Sequence, residues 1–268
     1  MAILELKSTS TADLSVQATA YNVEFVGAVH PRKKGCPAKG GVGFLVRKGT
    51  KAQLIRTLMT DPLEVCTIRT DIGAIAAIYC RDSNSYNYEK REELYDSIVH
   101  ELLGVNFAMG DMNMWHSRCD VNRLNATTKS SRSRLLSQTS MLDRISAELE
   151  LKIANASDCR GTYFGPAGET VIDYIMYRQS SLVQVDNLTV VDAHINMKAG
   201  HRALIAKLYA PRAIEEGEAA PARYRTPPTD EAGIAILSDA KIPIAEAVRG
   251  YQLHFLTEVG VSTSELET

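Results

Sequence analysis

The stretch Val105-Asn106-Phe107-Ala108-Met109-Gly110-Asp111-Met112-Asn113 decides how this chain is read. Val105 to Met109 has the length and apolar character of a short strand, and it ends on Gly-Asp-Met-Asn. Asp111 and Asn113 lie two apart, so on an extended backbone they point to the same side. A carboxylate and an amide together at a strand end can orient a water and hold a phosphate oxygen. Gly, Asp and Asn are also common turn residues, and by itself the stretch reads more readily as a turn.

Upstream, Glu89 to Leu103 carries Leu94, Ile98, Val99 and Leu102 at helical spacing, with Gly104 as its stop. Strands are expected before it at Ile3 to Leu6, Val23 to Val29, Gly41 to Val46, Leu63 to Arg69 and Ala74 to Tyr79. The last is a continuous apolar run of the kind buried on both faces. Downstream, residues 114 to 132 read as a polar loop and Ser133 to Leu149 as a second amphipathic helix. Strands are expected at Leu151 to Ala154, Thr162 to Phe164, Thr170 to Tyr177, Leu182 to Val191 and Ala203 to Leu208. This order is a mixed α/β layout, not a strict βαβ alternation. Composition changes at Tyr209. Residues 210 to 268 read as a proline-rich linker and a short helical tail, the helix expected over Thr229 to Val248.

The 268 residues can bury a sizeable core, and 45% apolar with 23% charged residues is ordinary for a globular protein. A formal net charge of -2 excludes binding to nucleic acid by bulk positive charge, but not by a local basic groove. Cys36, Cys66, Cys80, Cys119 and Cys159 form no C-x-x-C pair, which argues against a disulfide framework and a structural zinc site. No apolar run approaches the roughly 20 residues of a membrane span. The N-terminus lacks the features of a signal peptide, so an intracellular protein that is not secreted and not in a membrane is expected.

Three further places carry chemistry. Asp173 interrupts the apolar Val171-Ile172-Asp173-Tyr174-Ile175, where a carboxylate is costly unless paired, hydrogen-bonded or bound to metal. Alternation puts Val171, Asp173 and Ile175 on one face; the plainer reading is an outward Asp on an edge strand. His201, in Ala199-Gly200-His201-Arg202, stands just before the last strand of the body, although a single His is more often a surface residue. Glu5, in Ile3-Leu4-Glu5-Leu6, is a carboxylate in or just after an apolar strand, or else a surface residue near a frayed terminus.

The order of these features resembles the endonuclease/exonuclease/phosphatase superfamily, over roughly residues 1 to 209. Gly110-Asp111-Met112-Asn113 is similar to its G-D-[FM]-N, Ile172-Asp173-Tyr174 to its I-D-Y, and Gly40-Gly41-Val42-Gly43 to its G-G-V-[AG] strand. Leu4-Glu5-Leu6-Lys7 resembles Q-E-x-K with Leu for Gln, and Tyr79 sits where the family has a strand-end Tyr. The resemblance leans toward the endonuclease domains of non-LTR retrotransposons. It carries this lean on the helix before Val105, the Ser/Arg-rich segment after Asn113 and the Thr162-Tyr163-Phe164-Gly165 segment before Ile172.

The resemblance implies an α/β fold of the α+β type, a four-layer sandwich of two mixed β-sheets flanked by helices. It implies a metal-dependent phosphodiester hydrolase, most like a DNA endonuclease that nicks by in-line attack of water. Glu5 would hold Mg²⁺, with Mn²⁺ as the alternative metal. Asp111, Asn113, Asp173, His201 and Tyr79 would be the catalytic set. DNA is the implied partner, with contacts expected from Arg32, Lys33 and Lys34 in one basic loop and from Trp115, Arg118 and Arg132 after Asn113. A retroelement origin would add a reverse-transcriptase domain encoded downstream and a nuclear location. The competing readings are a small-molecule or lipid phosphatase of the same superfamily and a catalytically impaired, nucleic-acid-binding remnant.

Two departures stand out. The family begins with an earlier strand whose Asn supports the metal carboxylate, whereas this chain starts at the Glu strand. That implies a fragment of a longer frame, a replacing element or an incomplete site. The family's Ser-Asp-His is here Ala199-Gly200-His201. Asp192 and His194 offer an alternative Asp-His pair, but only His201 precedes a strand-like run.

Overall fold

A computed structural model describes residues 2–4, 11–19, 22–29, 40–81, 86–116, 119, 141–155, 160–165, 168–179, 184–191, 200–209 and 232–237. In chain order the elements are β1 (Ala2–Ile3), α1 (Thr11–Thr19), β2 (Val23–Val29), β3 (Gly41–Arg47), β4 (Ala52–Met59), β5 (Leu63–Thr70), β6 (Gly73–Cys80), α2 (Tyr88–Leu102) and β7 (Phe107–Asp111). Helical residues 141–148 (α3) follow, then β8 (Leu151–Ile153), β9 (Tyr163–Gly165), β10 (Gly168–Thr170), β11 (Asp173–Arg178), β12 (Gln184–Val191), β13 (Ala203–Tyr209) and β14 (Ala232–Leu237).

Two six-stranded sheets form the body. The first runs β12-β13-β14-β1-β3-β2 and the second β4-β5-β6-β7-β11-β8, while β9 and β10 make a small hairpin. Both large sheets are mixed, because β1 with β14 and β6 with β7 are parallel pairs among antiparallel ones. Side chains alternate between two cores, as the period of two requires. Ile75, Ala77, Phe107, Met109 and Ile175 of the second sheet meet Ala2, Val42, Phe44, Leu204 and Ala206 of the first. Ala76, Ile78, Ala108, Tyr174 and Met176 face the other way, onto Leu94, Ile98 and Leu102 of α2 and Leu142 and Ile145 of α3. Helix α1 lies on β2 and buries Leu14 and Ala18. The order helix, sheet, sheet, helices is the four-layer sandwich expected.

Local signals explain most of the elements. Asn87 caps α2 by accepting a hydrogen bond from the Lys90 N–H at 3.0 Å, and the buried Leu94, Ile98 and Leu102 repeat at helical spacing. β6 is an apolar run because both of its faces are covered.

The structure differs from the sequence reading in five places. Helix α1 (Thr11–Thr19) stands where no element was expected. Strand β4 escapes an alternation search because a bulge between Leu54 and Arg56 breaks its period and leaves Leu54 and Ile55 exposed. The single strand expected over Thr170 to Tyr177 is broken between Thr170 and Asp173. There the Ile172 and Asp173 N–H groups both donate to Thr162 Oγ1, at 3.1 Å each. Val171 therefore packs in the helix-side core, and only Asp173 and Ile175 share a face. Finally, Ala232–Leu237 is a strand inside the first sheet and not part of a helix over Thr229 to Val248. Its Ile-Ala-Ile-Leu run suits a strand bonded on both sides, and that pairing outweighs local helix propensity.

Candidate active site

Register places one polar residue from each of four neighbouring strands at a common level. Glu64 pairs with Tyr79, Tyr79 with Asp111, and Asp111 with Asp173. Paired residues share a face, and here it is the one that Cys66, Ala77, Met109 and Ile175 turn toward the first sheet. At one end of the inter-sheet layer, apolar packing thus gives way to a row of three carboxyl groups and a phenol.

Asp111 is held from its own turn. Its Oδ1 accepts the Asn113 backbone N–H at 2.8 Å and its Oδ2 accepts from Asn113 Nδ2 at 3.0 Å. The same Nδ2 donates to the Cys80 carbonyl at 2.9 Å, tying the turn to the end of β6. Two backbone features make this possible. Gly110 has φ +150°, and a side chain there would collide with the Ile78 carbonyl of β6. Asn113 sits at φ +47°, the left-handed region that Asn tolerates better than most residues. The Gly and Asn of the motif are therefore turn residues and site residues at once.

Asp173 is fully buried and faces His201, whose Nδ1 lies 3.1 Å from its Oδ2. The tautomer follows from this contact: Nδ1 carries the hydrogen that Asp173 accepts, which leaves Nε2 for other partners. The Tyr163 ring packs at 58° to the imidazole with centroids 4.7 Å apart. Asp173 is fixed through its backbone, its N–H donating to Thr162 Oγ1 and its carbonyl accepting from Asn155 Nδ2 at 2.9 Å. The Asn155 Oδ1 accepts the Ile175 N–H at 3.1 Å. Arg202 ties the segment after His201 to the β9–β10 hairpin, donating to the Gly161 carbonyl at 2.6 Å and to Glu169 Oε1 at 2.7 Å. That guanidinium holds the Glu169 carboxyl below the usual range.

Gly200, where the resembled family has Asp, has a structural cause. A Cβ there would run into the Phe164 carbonyl, with Tyr163 also close. The Gly200 carbonyl accepts the Phe164 N–H at 2.5 Å, so the β9 backbone occupies the space a carboxylate side chain needs.

One ligand atom from each of Asp111, Asp173 and His201 lies within 4.8 Å of those of the other two. Among the described residues, Asp173 Oδ1 is buried with no hydrogen-bond partner. Two carboxylates, one with an unsatisfied oxygen, and an imidazole are donors that fit a divalent cation. The expected metal residue Glu5 lies outside the described residues; Leu4, just before it, is fully buried between the sheets. Of the expected nucleic-acid contacts, Trp115 is half-buried, while Arg32, Lys33, Lys34, Arg118 and Arg132 lie outside the described residues, as do Asp192 and His194. Asp111, Asn113, Asp173 and His201 come together, and Tyr79, half-buried, is one strand from Asp111.

Sequence reading missed Glu64, Thr162 and Asn155. Glu64 is fully buried, accepts the Gly41 N–H at 2.7 Å and pairs with Arg81 at 3.6 Å, so it joins the second sheet to the start of β3. Its position between Leu63 and Val65 carried the same signal as Asp173, a lone carboxylate in an apolar strand. Thr162 and Asn155 had no such signal, because a polar residue at or beside the end of a short strand is unremarkable.

No protein-family model and no curated protein matches the chain. Among solved structures, the 3'-5' exonuclease NExo of Neisseria meningitidis is similar with a TM-score of 0.54 at 13% identity, over 76% of this chain and 87% of that one. A point variant of the 3' phosphatase NExo from Neisseria, bound to a product DNA hairpin, gives a TM-score of 0.55 at 12% identity, over 75% and 85%. This is the endonuclease/exonuclease/phosphatase fold. The endonuclease domain of TRAS1, a telomere-specific non-LTR retrotransposon, is also similar, at 14% identity and a TM-score of 0.46, over 76% of this chain and 95% of that one.

Proposed function

We propose that the chain is a divalent-metal-dependent phosphodiester hydrolase acting on DNA, a nicking endonuclease of the retroelement type. The observation that carries the hydrolase reading is the convergence of Asp111, Asp173 and His201 within 4.8 Å, with Asp173 Oδ1 unsatisfied. A fold shared with DNA-processing enzymes supports it by analogy.

The roles follow from the hydrogen bonds. Asp111, its carboxylate oriented by Asn113, takes the proton of the attacking water. Asn113 keeps that carboxylate from turning away. Asp173 holds the His201 ring through Nδ1, so that the ring in its charged form donates from Nε2 to a phosphoryl oxygen. Tyr79 adds its hydroxyl on the same face. A bound Mg²⁺ or Mn²⁺, held by Glu5 or by the Oδ1 oxygen of Asp173, would supply Lewis-acid stabilisation of the phosphoryl and leaving oxygens. Arg32, Lys33, Lys34, Arg118 and Arg132 would neutralise DNA phosphates, and Trp115 would stack on an exposed base or sugar. A retroelement protein of this kind would work in the nucleus beside a reverse transcriptase. Among the described residues no helix is long and apolar enough to cross a membrane.

The test compares substrates. Supercoiled plasmid, a small phosphodiester and a small phosphomonoester are offered to the purified chain with Mg²⁺. The proposal expects plasmid nicking to dominate. Faster release from the monoester would turn the reading to the phosphatase alternative, and DNA binding without turnover would turn it to the remnant.

A further inference from the structure

We propose that strand β14, in the tail beyond the proline-rich segment, is the element that positions His201. β14 lies between β13 and β1 and is hydrogen-bonded to both. It runs antiparallel to β13 from Leu204↔Ile236 to Leu208↔Ala232, and parallel to β1 through Ala2↔Ile236 and Ile3↔Leu237. Removing it would divide the first sheet into a β12–β13 hairpin and a separate β1-β3-β2 unit. A two-stranded hairpin is marginal alone. Leu204 and Ala206 in the inter-sheet core and the contacts around His201 and Arg202 would then tie β13 to the body without a strand on that side.

His201 and Arg202 directly precede β13. The position of β13 sets where the His201 backbone enters the site, and with it the 3.1 Å contact to Asp173. Asp173 belongs to the other sheet. β14 therefore keeps two groups from different sheets in register through its backbone hydrogen bonds, as an added strand does. Residues 210–231 separate β13 from β14 in the sequence.

Ile236 is paired on both sides, so its N–H faces one neighbour or the other. Proline there removes a ladder donor from a central strand. The test uses the full chain, with hydrogen exchange read by mass spectrometry or NMR. In the wild type, the amides of Ala232–Leu237 should exchange as slowly as those of Leu204–Leu208. In Ile236→Pro, protection should fall in β13 while β6 and β7 stay protected, and the His201 Nδ1 resonance should move; Ile236→Val should match the wild type. The activity arm rests on the proposed hydrolase reading: kcat for nicking should fall about a hundredfold, as expected for a displaced catalytic group. The exchange arm does not depend on that reading and decides the role of β14 even in a chain that cleaves nothing. Wild-type β14 amides exchanging at the rate of an unstructured chain would overturn the proposal, as would an Ile236→Pro chain with β13 protection and the His201 resonance unchanged. Should Ile236→Pro unfold the whole chain, the wild-type exchange pattern decides.

Discussion

Gly110 and Gly200 each let backbone come close beside the same site, where a side chain would meet a carbonyl. Gly110 lets β7 press against β6, so Gly110→Ala should both destabilise the chain and displace Asp111, since φ +150° is strained for any side chain. A urea melt together with a nicking assay checks this, and the two losses should appear together. Gly200→Asp restores the residue of the resembled family, yet it should lower activity, because the new side chain meets the Phe164 carbonyl. A gain of activity in Gly200→Asp would mean that β9 yields easily. Cys66 offers a simpler check. It is fully buried, and burial pushes its thiol up to about 12. Native chain at pH 8 should leave Cys66 unalkylated by iodoacetamide, and denaturant should expose it, as peptide mapping would show.

At the scale of elements, the β9–β10 hairpin and the Asn155 turn hold Asp173 from behind. Thr162→Val keeps the shape and removes the acceptor of two N–H groups, so it should cost about 1–3 kcal/mol for each donor left unpaired. Nicking should fall more than stability does, because Asp173 loses its anchor. Arg202 and Glu169 brace the same hairpin. The carboxyl is lowered by its guanidinium partner, so this contribution is present above the ordinary Glu value of about 4.3 and is lost as pH falls through the lowered one. Hydrogen exchange in the hairpin should therefore speed up only in acid. Helix α2 was legible in the sequence from its helical period, and β2 from its β-forming residues. β4 was not, because its bulge erases alternation. β14 was not, because six residues of Ala, Gly, Ile and Leu suit either helix or strand until two neighbours bond to them.

For the whole molecule, net charge says little about partners. The sum is -2, yet the basic residues expected to meet DNA sit in two short segments. Replacing Arg32, Lys33 and Lys34 together by Ala should reduce the slope of log affinity against log salt by about 3, nearly one for each phosphate no longer neutralised. The same separation explains what the sequence revealed of the site. Asp111, Asn113, Asp173 and His201 were legible because each interrupts or ends an apolar strand. Glu64 carried the same signal between Leu63 and Val65, whereas Thr162 and Asn155 act through backbone groups far away in the chain, which no local pattern displays. The central claim is that Asp111, Asp173 and His201 form a phosphodiester-cleaving site. The most direct measurement is plasmid nicking by the wild type and by Asp111→Ala, each with Mg²⁺ and with chelator. The account predicts nicking by the wild type with metal and not with chelator, and a loss of orders of magnitude in Asp111→Ala while its circular dichroism spectrum stays that of the folded chain. Equal nicking by the two proteins would contradict it.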